Sequence, residues 1–185
     1  MPILERVDAE QARAHLEGEF GARLGNLHLN FGSLDMTVQP HDYLEVVTYL
    51  RDASGFRMRF FTFLSGVDRS EFGPADAENK PHPLEVLLHL YSPDHVLHAD
   101  IHVPVDPADP KCPSISDLFA GALWHERETH EMFGIDFEGH PGLVNLYLPE
   151  DFEGRPLLKS FKLPSRIVKA WPGAKDPEEA AAGGR

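Results

Sequence analysis

Closely spaced prolines limit what the last 45 residues of this 185-residue chain can fold into. They recur every five to eight residues, at Pro141, Pro149, Pro156, Pro164, Pro172 and Pro177. Because proline has no backbone N–H and a fixed φ, it is excluded from helix interiors and from central strands. Residues 141–185 are therefore predicted to form an extended, irregular tail. The apolar side chains in this tail need a surface to cover them, which favours docking on a partner protein.

The residues before the tail carry helix and strand patterns. Apolar residues at helical spacing predict three helices, over residues 8–20, 41–52 and 114–133. Asp8 is the predicted cap of the first helix, Ser114 or Ser116 caps the third, and Gly134 ends it. Alternating apolar residues predict five strands, over residues 27–31, 34–38, 58–67, 84–92 and 97–103.

The order of these elements predicts the fold class. A hairpin turn at Gly32-Ser33 joins the first two strands, and residues 68–83 are predicted to form a polar loop. The order αββαβββα indicates an α+β fold, with a mostly antiparallel sheet and flanking helices. We therefore predict a globular domain over residues 1–140, followed by an extended, partner-docking tail over residues 141–185.

The composition argues against several classes of function. The net charge of −13 disfavours non-specific nucleic-acid binding and direct attachment to anionic lipid, because both need surplus lysine and arginine. The single cysteine, Cys112, excludes an internal disulfide and a cysteine-only zinc or iron–sulfur site. We interpret its thiol as unreactive, because no motif associates a base with it. No stretch reads as a signal peptide or a membrane span, so we expect membrane association only through partners.

Charge is distributed unevenly between the predicted domain and the tail. Residues 1–140 contain 24 acidic and 10 basic side chains. Residues 155–175 contain no acidic side chain and six basic ones, Arg155, Lys159, Lys162, Arg166, Lys169 and Lys175. A basic, proline-interrupted segment attached to an acidic body is typical of a tail that docks on another molecule.

The third predicted helix contains the sequence HERETH, which superficially suggests a zinc hydrolase. Its histidines, His125 and His130, are five residues apart and lie about 140° apart around a helix. A two-histidine zinc motif needs a separation of four residues. Glu126 and His130 share a face, but two ligands are too few for a zinc site. We therefore interpret this helix as a polar interaction face.

A second metal hypothesis rests on three alternating residues, His98, Asp100 and His102. On a strand they would project from the same side and could bind zinc, as in a metal-dependent hydrolase. The competing interpretation is a solvated strand face, with the apolar residues between them forming the buried face.

The charged residues Glu126, Arg127 and Glu128 cannot all serve one solvated stripe of a helix. They point in three directions, and apolar residues surround them. Some of these charges are therefore predicted to turn inward, against the tail or a partner, where a charged group needs a compensating contact.

The run from Glu126 to Phe161 resembles a known family signature. Its elements are ERE-x-x-E-M-F-G, then G-H-P, then D-F-E-G-R-P-L-L-K-S-F. The string is similar to that of the 30-kDa subunit family of respiratory complex I, the proton-pumping NADH:quinone oxidoreductase. The resemblance covers roughly residues 40–175 and is strongest over 113–161. Four positions depart from it. The family commonly has basic residues at the positions of Val144 and Asn145, and most members have an aromatic residue in place of His130 and an aspartate in place of Glu131.

The resemblance implies a non-redox structural subunit of the peripheral arm, with no catalytic, cofactor or metal residues of its own. FMN and iron–sulfur clusters would belong to partner subunits, and the tail would lie along the large quinone-site subunit. The assembly would lie on the cytoplasmic side of the plasma membrane and couple electron transfer from NADH to quinone with proton translocation. An alternative is the equivalent subunit of a related membrane-bound hydrogenase. The motif residues predicted to serve the interface are Glu126, Arg127, Glu128, Glu131, Phe133, Gly134, Gly139, His140, Pro141, Asp151, Gly154, Pro156 and Lys159.

Overall fold

The computed structural model describes residues 7–72 and 83–163. Most of the predicted loop over residues 68–83 lies outside the described residues, as does the tail beyond residue 163.

Five strands form one sheet that is mostly antiparallel, as predicted. They are β1 (Leu24–Asn30), β2 (Ser33–Val38), β3 (Phe60–Asp68), β4 (Leu84–Ser92) and β5 (Leu97–Pro104). Their order across the sheet is β1-β2-β5-β4-β3. The pairs β1–β2, β4–β5 and β3–β4 are antiparallel, whereas β2 and β5 run parallel. The parallel pair arises because α2 and two further strands separate β2 from β5 in the chain.

Three helices complete the α+β fold: α1 (Ala9–Phe20), α2 (Pro40–Asp52) and α3 (Ala122–Phe133). The Asp8 carboxylate accepts a hydrogen bond from the backbone nitrogen of Glu10 at 3.3 Å and caps α1, as predicted. Helix α2 begins with Pro40, whose missing N–H is not needed in a first turn. Helix α3 ends at Gly134, whose φ of 81° is the left-handed conformation that favours glycine. The predicted fold class is therefore confirmed.

The hydrophobic core lies between the helices and one face of the sheet. Met36, Leu88 and Ile101 are fully buried there, each from a different strand. The side chains that alternate with them point to the opposite face. These include Asp100 and His102, which are only half-buried. The sheet thus has one covered face and one partly open face.

The hairpin between β1 and β2 corrects a sequence prediction. Asn30 pairs with Ser33, so the two turn residues are Phe31 and Gly32 rather than Gly32 and Ser33. Both have positive φ, 51° and 85°, which suits the right-handed twist of the paired strands. The sequence prediction was wrong because a phenylalanine rarely adopts this conformation.

The start of α3 corrects a second prediction. The helix begins at Ala122, and neither Ser114 nor Ser116 caps it. Turns occupy residues 116–118 and 120–121, and the hydroxyl of Ser114 donates a hydrogen bond to Glu126 inside α3 instead. Two short strands that were not predicted, β6 (Lys111–Pro113) and β7 (Asp136–Glu138), pair in parallel. Strand β6 precedes the turns, and β7 follows α3.

The described part of the tail contains turns and bends but no helix or strand. Leu143 and Leu158 pack against the hydrophobic core, so this segment returns to the domain. In residues 7–72 and 83–163, no helix is long and apolar enough to cross a membrane.

Candidate interface between subunits

Helix α3 carries the first part of the motif and lies very close to strand β3. A Cβ atom at Gly66 of β3 would lie 2.6 Å from the ring of Phe133. The Nδ1 of His125 donates a hydrogen bond to the carbonyl oxygen of Leu64 at 3.0 Å. These contacts set the position of the helix on the sheet.

Glu126 lies on the inner side of α3 and is fully buried. Its carboxylate accepts hydrogen bonds from the Ser114 hydroxyl at 2.6 Å and from the backbone nitrogen of Ile115 at 2.8 Å. Burial raises the pKa of Glu126 above its ordinary value, although both hydrogen bonds oppose this. Glu126 turns inward, as predicted for some motif charges, but the groups that it binds lie before α3 rather than in the tail or a partner. Glu126 holds the turns that precede its own helix.

Glu131 is also buried, and its carboxylate binds the backbone of the tail. It accepts hydrogen bonds from the backbone nitrogens of Leu146 at 3.1 Å, Tyr147 at 3.0 Å and Leu148 at 2.5 Å. Burial acts to raise the pKa of Glu131, but these hydrogen bonds outweigh it and lower the pKa below its ordinary value. The carboxylate thus acts as a clamp on three consecutive peptide groups.

Arg127 binds the same segment from the outer side of the helix. Its guanidinium donates to the carbonyl oxygens of Val144 at 2.9 Å and Asn145 at 2.7 Å. It also lies 5.2 Å from the centre of the Trp124 ring, a cation–π distance. Val144 and Asn145, where the family commonly has basic residues, therefore contact Arg127 through their backbone, which does not depend on their side chains.

The Gly-His-Pro element turns the chain at the end of the domain. Gly139 has a φ of 89°. His140 accepts a hydrogen bond at Nδ1 from the backbone nitrogen of Gly142 at 3.0 Å, so its other nitrogen, Nε2, donates to the carbonyl oxygen of Leu123 at 3.1 Å. Pro141 is exposed. His140 thereby ties the turn to the first residues of α3.

The last part of the motif returns to the end of β3. The backbone nitrogen of Lys159 donates to the Asp68 carboxylate at 2.7 Å. Arg155 donates to the carbonyl oxygen of Glu131 at 3.2 Å and lies beside Gly134, where a Cβ would be 3.1 Å from its Nε. Gly154 has a φ of 104° and packs on Phe161.

The remaining predicted residues lie nearer the surface. Glu128 and Pro156 are half-buried, and Asp151 is exposed. The Glu128 side chain makes no hydrogen bond or ion pair with the residues that the structure describes. Asp68 and Ser114 complete the site, but neither was among the predicted site residues. Asp68 is the first residue of the predicted loop over residues 68–83, and Ser114 was predicted to cap α3 instead.

Comparison with known proteins identifies the family. Residues 36–167 match the family described as the 30 Kd subunit of the respiratory-chain NADH dehydrogenase. The chain belongs to this family. It is 36% identical over 141 residues to an NADH-quinone oxidoreductase subunit of Mesorhizobium japonicum, covering 76% of this chain and 66% of that protein. It is 39% identical over 137 residues to the same subunit of a Roseiflexus species, covering 74% of each chain.

A solved structure shows the same fold at lower identity. A chain of the membrane-bound sulfane sulfur reductase, an archaeal respiratory membrane complex, superimposes with a TM-score of 0.69 at 18% identity. The superposition covers 92% of this chain and 98% of that one. This chain therefore shares its α+β fold with a chain of the archaeal complex.

The segment over residues 124–163, which contains the motif and is called the motif segment below, exposes several large apolar side chains. The exposed fractions are 59% for Trp124, 63% for Val144, 62% for Tyr147 and 82% for Leu163. Leu157 and Phe152 are also exposed. Charged residues of the motif thus hold the backbone of the segment, while several large apolar side chains are exposed on its surface among polar ones.

The structure gives no support to the metal-dependent hydrolase hypothesis. His98, Asp100 and His102 do project from one strand face, but each contacts a different group: His89, Ser33 and Glu85, respectively. Among the described residues, no group of three or more histidine, cysteine, aspartate or glutamate side chains could hold a metal ion.

The surroundings of Cys112, His125 and His130 fit structural roles rather than catalysis or metal binding. Cys112 is buried, and burial raises the pKa of its thiol far above the ordinary value, which keeps the thiol protonated. His125 and His130 donate to different backbone carbonyl oxygens, those of Leu64 and Ile135. Both histidines therefore have structural hydrogen bonds.

Proposed function

We propose that this chain is a non-catalytic structural subunit in the peripheral arm of an NADH:quinone oxidoreductase. The complex carries electrons from NADH through FMN and iron–sulfur clusters to quinone and couples this transfer to proton translocation. These cofactors belong to partner subunits, and this chain holds the quinone-proximal part of the arm together on the cytoplasmic side of the membrane. Membership of the 30-kDa family supports the proposal.

The exposed apolar surface of the motif segment is the observation that carries this proposal. Large apolar side chains on a well-held backbone are costly in water unless a partner covers them. The backbone here is held by hydrogen bonds to Glu131, Arg127 and Asp68. A segment whose backbone is fixed by hydrogen bonds and whose large apolar side chains are exposed suits an interface between subunits better than a catalytic site.

The partner that we propose for this surface is the large quinone-site subunit. The tail continues from Leu163 towards the basic residues at 166, 169 and 175. An apolar surface followed by positive charge fits a partner with an apolar groove and an acidic rim.

Capture of the tagged full chain from gently solubilised membranes tests this proposal. We expect flavin and iron–sulfur subunits to be recovered together with NADH:quinone activity. An assembly that oxidises hydrogen instead would identify the related hydrogenase as the parent complex. Recovery of the chain alone would contradict both.

Substitutions on the apolar surface locate the contact. Tyr147→Asp and Leu157→Asp should each lower the recovery of the large subunit, because both place a charge in the buried centre of the interface. Leu44→Asp is the matched control, since Leu44 is also exposed but lies on α2. Equal recovery with all three variants would exclude this surface as the contact.

A further inference from the structure

Arg127 lies between two exposed apolar side chains of the motif segment. Its guanidinium is 5.2 Å from the centre of the ring of Trp124, which precedes it by three residues on α3. It also donates to the carbonyl oxygens of Val144 and Asn145 in the tail. Trp124 and Val144 are exposed, whereas Arg127 is half-buried. A molecule that covers both apolar side chains would therefore also cover this guanidinium.

The charge of Arg127 is not paired with a carboxylate of any residue that the structure describes. The Glu131 carboxylate, one turn further along α3, is occupied by three backbone N–H groups of the tail. Elsewhere in the domain, five arginines do form ion pairs with carboxylates, namely Arg13, Arg23, Arg51, Arg57 and Arg69. In a chain with a net charge of −13, Arg127 thus keeps a positive charge that no described acidic side chain neutralises.

Part of the Arg127 guanidinium is also free to donate. Its Nε and Nη2 atoms make the two bonds to the tail, whereas Nη1 makes no hydrogen bond with the described residues. Water can bind these N–H groups in the isolated chain, but a partner that covers them would leave a buried cation without an acceptor. The partner must therefore supply an acceptor. A carboxylate matches both the charge and the planar shape of the guanidinium.

We propose that a carboxylate side chain of the large subunit binds Nη1 of Arg127, with Trp124 and Val144 excluding water from the contact. This proposal rests on the proposed function, because it names the chemistry by which the partner recognises the motif segment. Tryptophan and arginine are among the residue types that contribute most to binding between proteins. The Trp124 ring and the two carbonyl oxygens hold the guanidinium before binding, so pairing costs little side-chain entropy.

Arg127→Lys with carbodiimide cross-linking of the complete assembly tests the proposal. The reagent joins a lysine amine to a carboxylate in direct contact, so the introduced lysine should be joined to an aspartate or glutamate of the large subunit. Arg13→Lys is the matched control, because Glu10 and Glu17 form ion pairs with Arg13 and should be joined to the lysine within the chain. If the control reacts, joining at position 127 only to Glu131 or another carboxylate of this chain would overturn the proposal. Joining to a different subunit, or no joining, would also overturn it.

Arginine-specific labelling tests the same contact without a substitution. Phenylglyoxal modifies accessible guanidinium groups, and mass spectrometry locates the modified residues. We expect Arg127 to be modified in the isolated chain and protected in the purified assembly. Equal modification of Arg127 in the two states would overturn the proposal.

A double-mutant cycle separates direct pairing from a structural role of Arg127. Arg127→Gln, or the neutral variant of the carboxylate that cross-linking identifies, should each make the chain dissociate from the assembly at least about tenfold faster. The two changes together should cost less than the sum of the single changes, because the second removes a charge that has already lost its partner. Fully additive effects would contradict a direct contact.

The two proposals fail in different ways. If no subunits accompany the captured chain, the proposed function is wrong. If the large subunit accompanies it but Arg127 is modified equally in the assembly and in the isolated chain, only the proposed carboxylate contact is wrong.

Discussion

The ring of Phe133 occupies the space that a side chain at Gly66 would need. A Cβ atom built on Gly66 would lie 2.6 Å from both Cγ and Cδ2 of that ring. Helix α3 therefore approaches strand β3 at a distance that glycine permits and alanine does not. This contact aligns the helix that carries Glu126, Arg127 and Glu131 over the sheet.

Gly66→Ala should destabilise the domain by about 1–3 kcal/mol, because the added methyl group overpacks the contact with Phe133. Urea unfolding followed by circular dichroism measures this change. Gly18→Ala in α1 is the control, since no atom lies within 4 Å of a Cβ at that position. It should stabilise the domain slightly, because alanine favours the helix. Equal free energies of unfolding for the two variants would contradict the tight helix–strand contact.

Glu131→Gln should loosen the described part of the tail. Glutamine presents one acceptor oxygen and a donor group to three backbone N–H groups, so the segment loses about 2 kcal/mol of charge-assisted hydrogen bonding. Amide hydrogen exchange at Leu146, Tyr147 and Leu148 should accelerate. Glu128→Gln, on the same helix, should leave these amides unchanged. Similar exchange in both variants would show that the carboxylate of Glu131 is not the clamp.

Glu126→Ala should destabilise the domain by about 2–4 kcal/mol, because it leaves a cavity and a buried Ile115 N–H without an acceptor. Urea unfolding at neutral pH measures this loss. Glu126→Gln should have a much smaller effect, since its amide oxygen can still accept from Ile115.

The direction in which pH changes the stability of the domain also distinguishes Glu126 from glutamine. Burial raises the folded-state pKa of Glu126, so its contribution is most favourable when the carboxyl is protonated and weakens as the pH rises through that pKa. Glu126→Gln removes this dependence. If the glutamine variant were as unstable as the alanine variant at neutral pH, the ionised form itself would be required.

His102 should make stability depend on pH near neutrality. Its hydrogen bond to Glu85 and the charge of Asp35 raise its pKa above the ordinary value of 6.5, against the effects of burial and Arg69. Because the folded-state pKa is raised, the stabilisation is fully present below about pH 6.5 and is lost as the pH rises through the folded pKa.

His102→Gln isolates this contribution. The difference in unfolding free energy between the native chain and the variant should be larger at about pH 5.5 than at about pH 8.5. His89, on the same sheet face, has its pKa lowered by burial and acts in the opposite direction, but it is present in both proteins. A difference that stays constant with pH would show that folding does not raise the pKa of His102.

Regular elements of the fold could be predicted because their signals are local. The alternation in β5 correctly separated the buried Ala99 and Ile101 from the outward-facing Asp100 and His102. Gly134 correctly marked the end of α3. The start of α3 was missed because the hydroxyl of Ser114 is used by Glu126, 12 residues further along, rather than by the nearest helix.

The candidate site could be predicted only in part. Its residues followed from the family signature, and the inward turn of a motif charge followed from helix geometry. The partner of each charge could not be predicted. Glu131 binds peptide groups 15 to 17 residues away, and Asp68 accepts from Lys159 across 91 residues. Irregular segments of this length carry no periodic signal that would place them.

Local patterns in the sequence were enough to establish the α+β class and the irregular backbone of the described tail, because hydrophobic period and proline stereochemistry act over a few neighbouring residues. The fixed order of the motif was likewise enough to indicate the family. The roles of Glu126 and Glu131, which hold their own chain, became visible in the folded domain alone. A carboxylate binds whichever N–H groups the fold brings within hydrogen-bonding distance, and that proximity depends on how distant segments pack together.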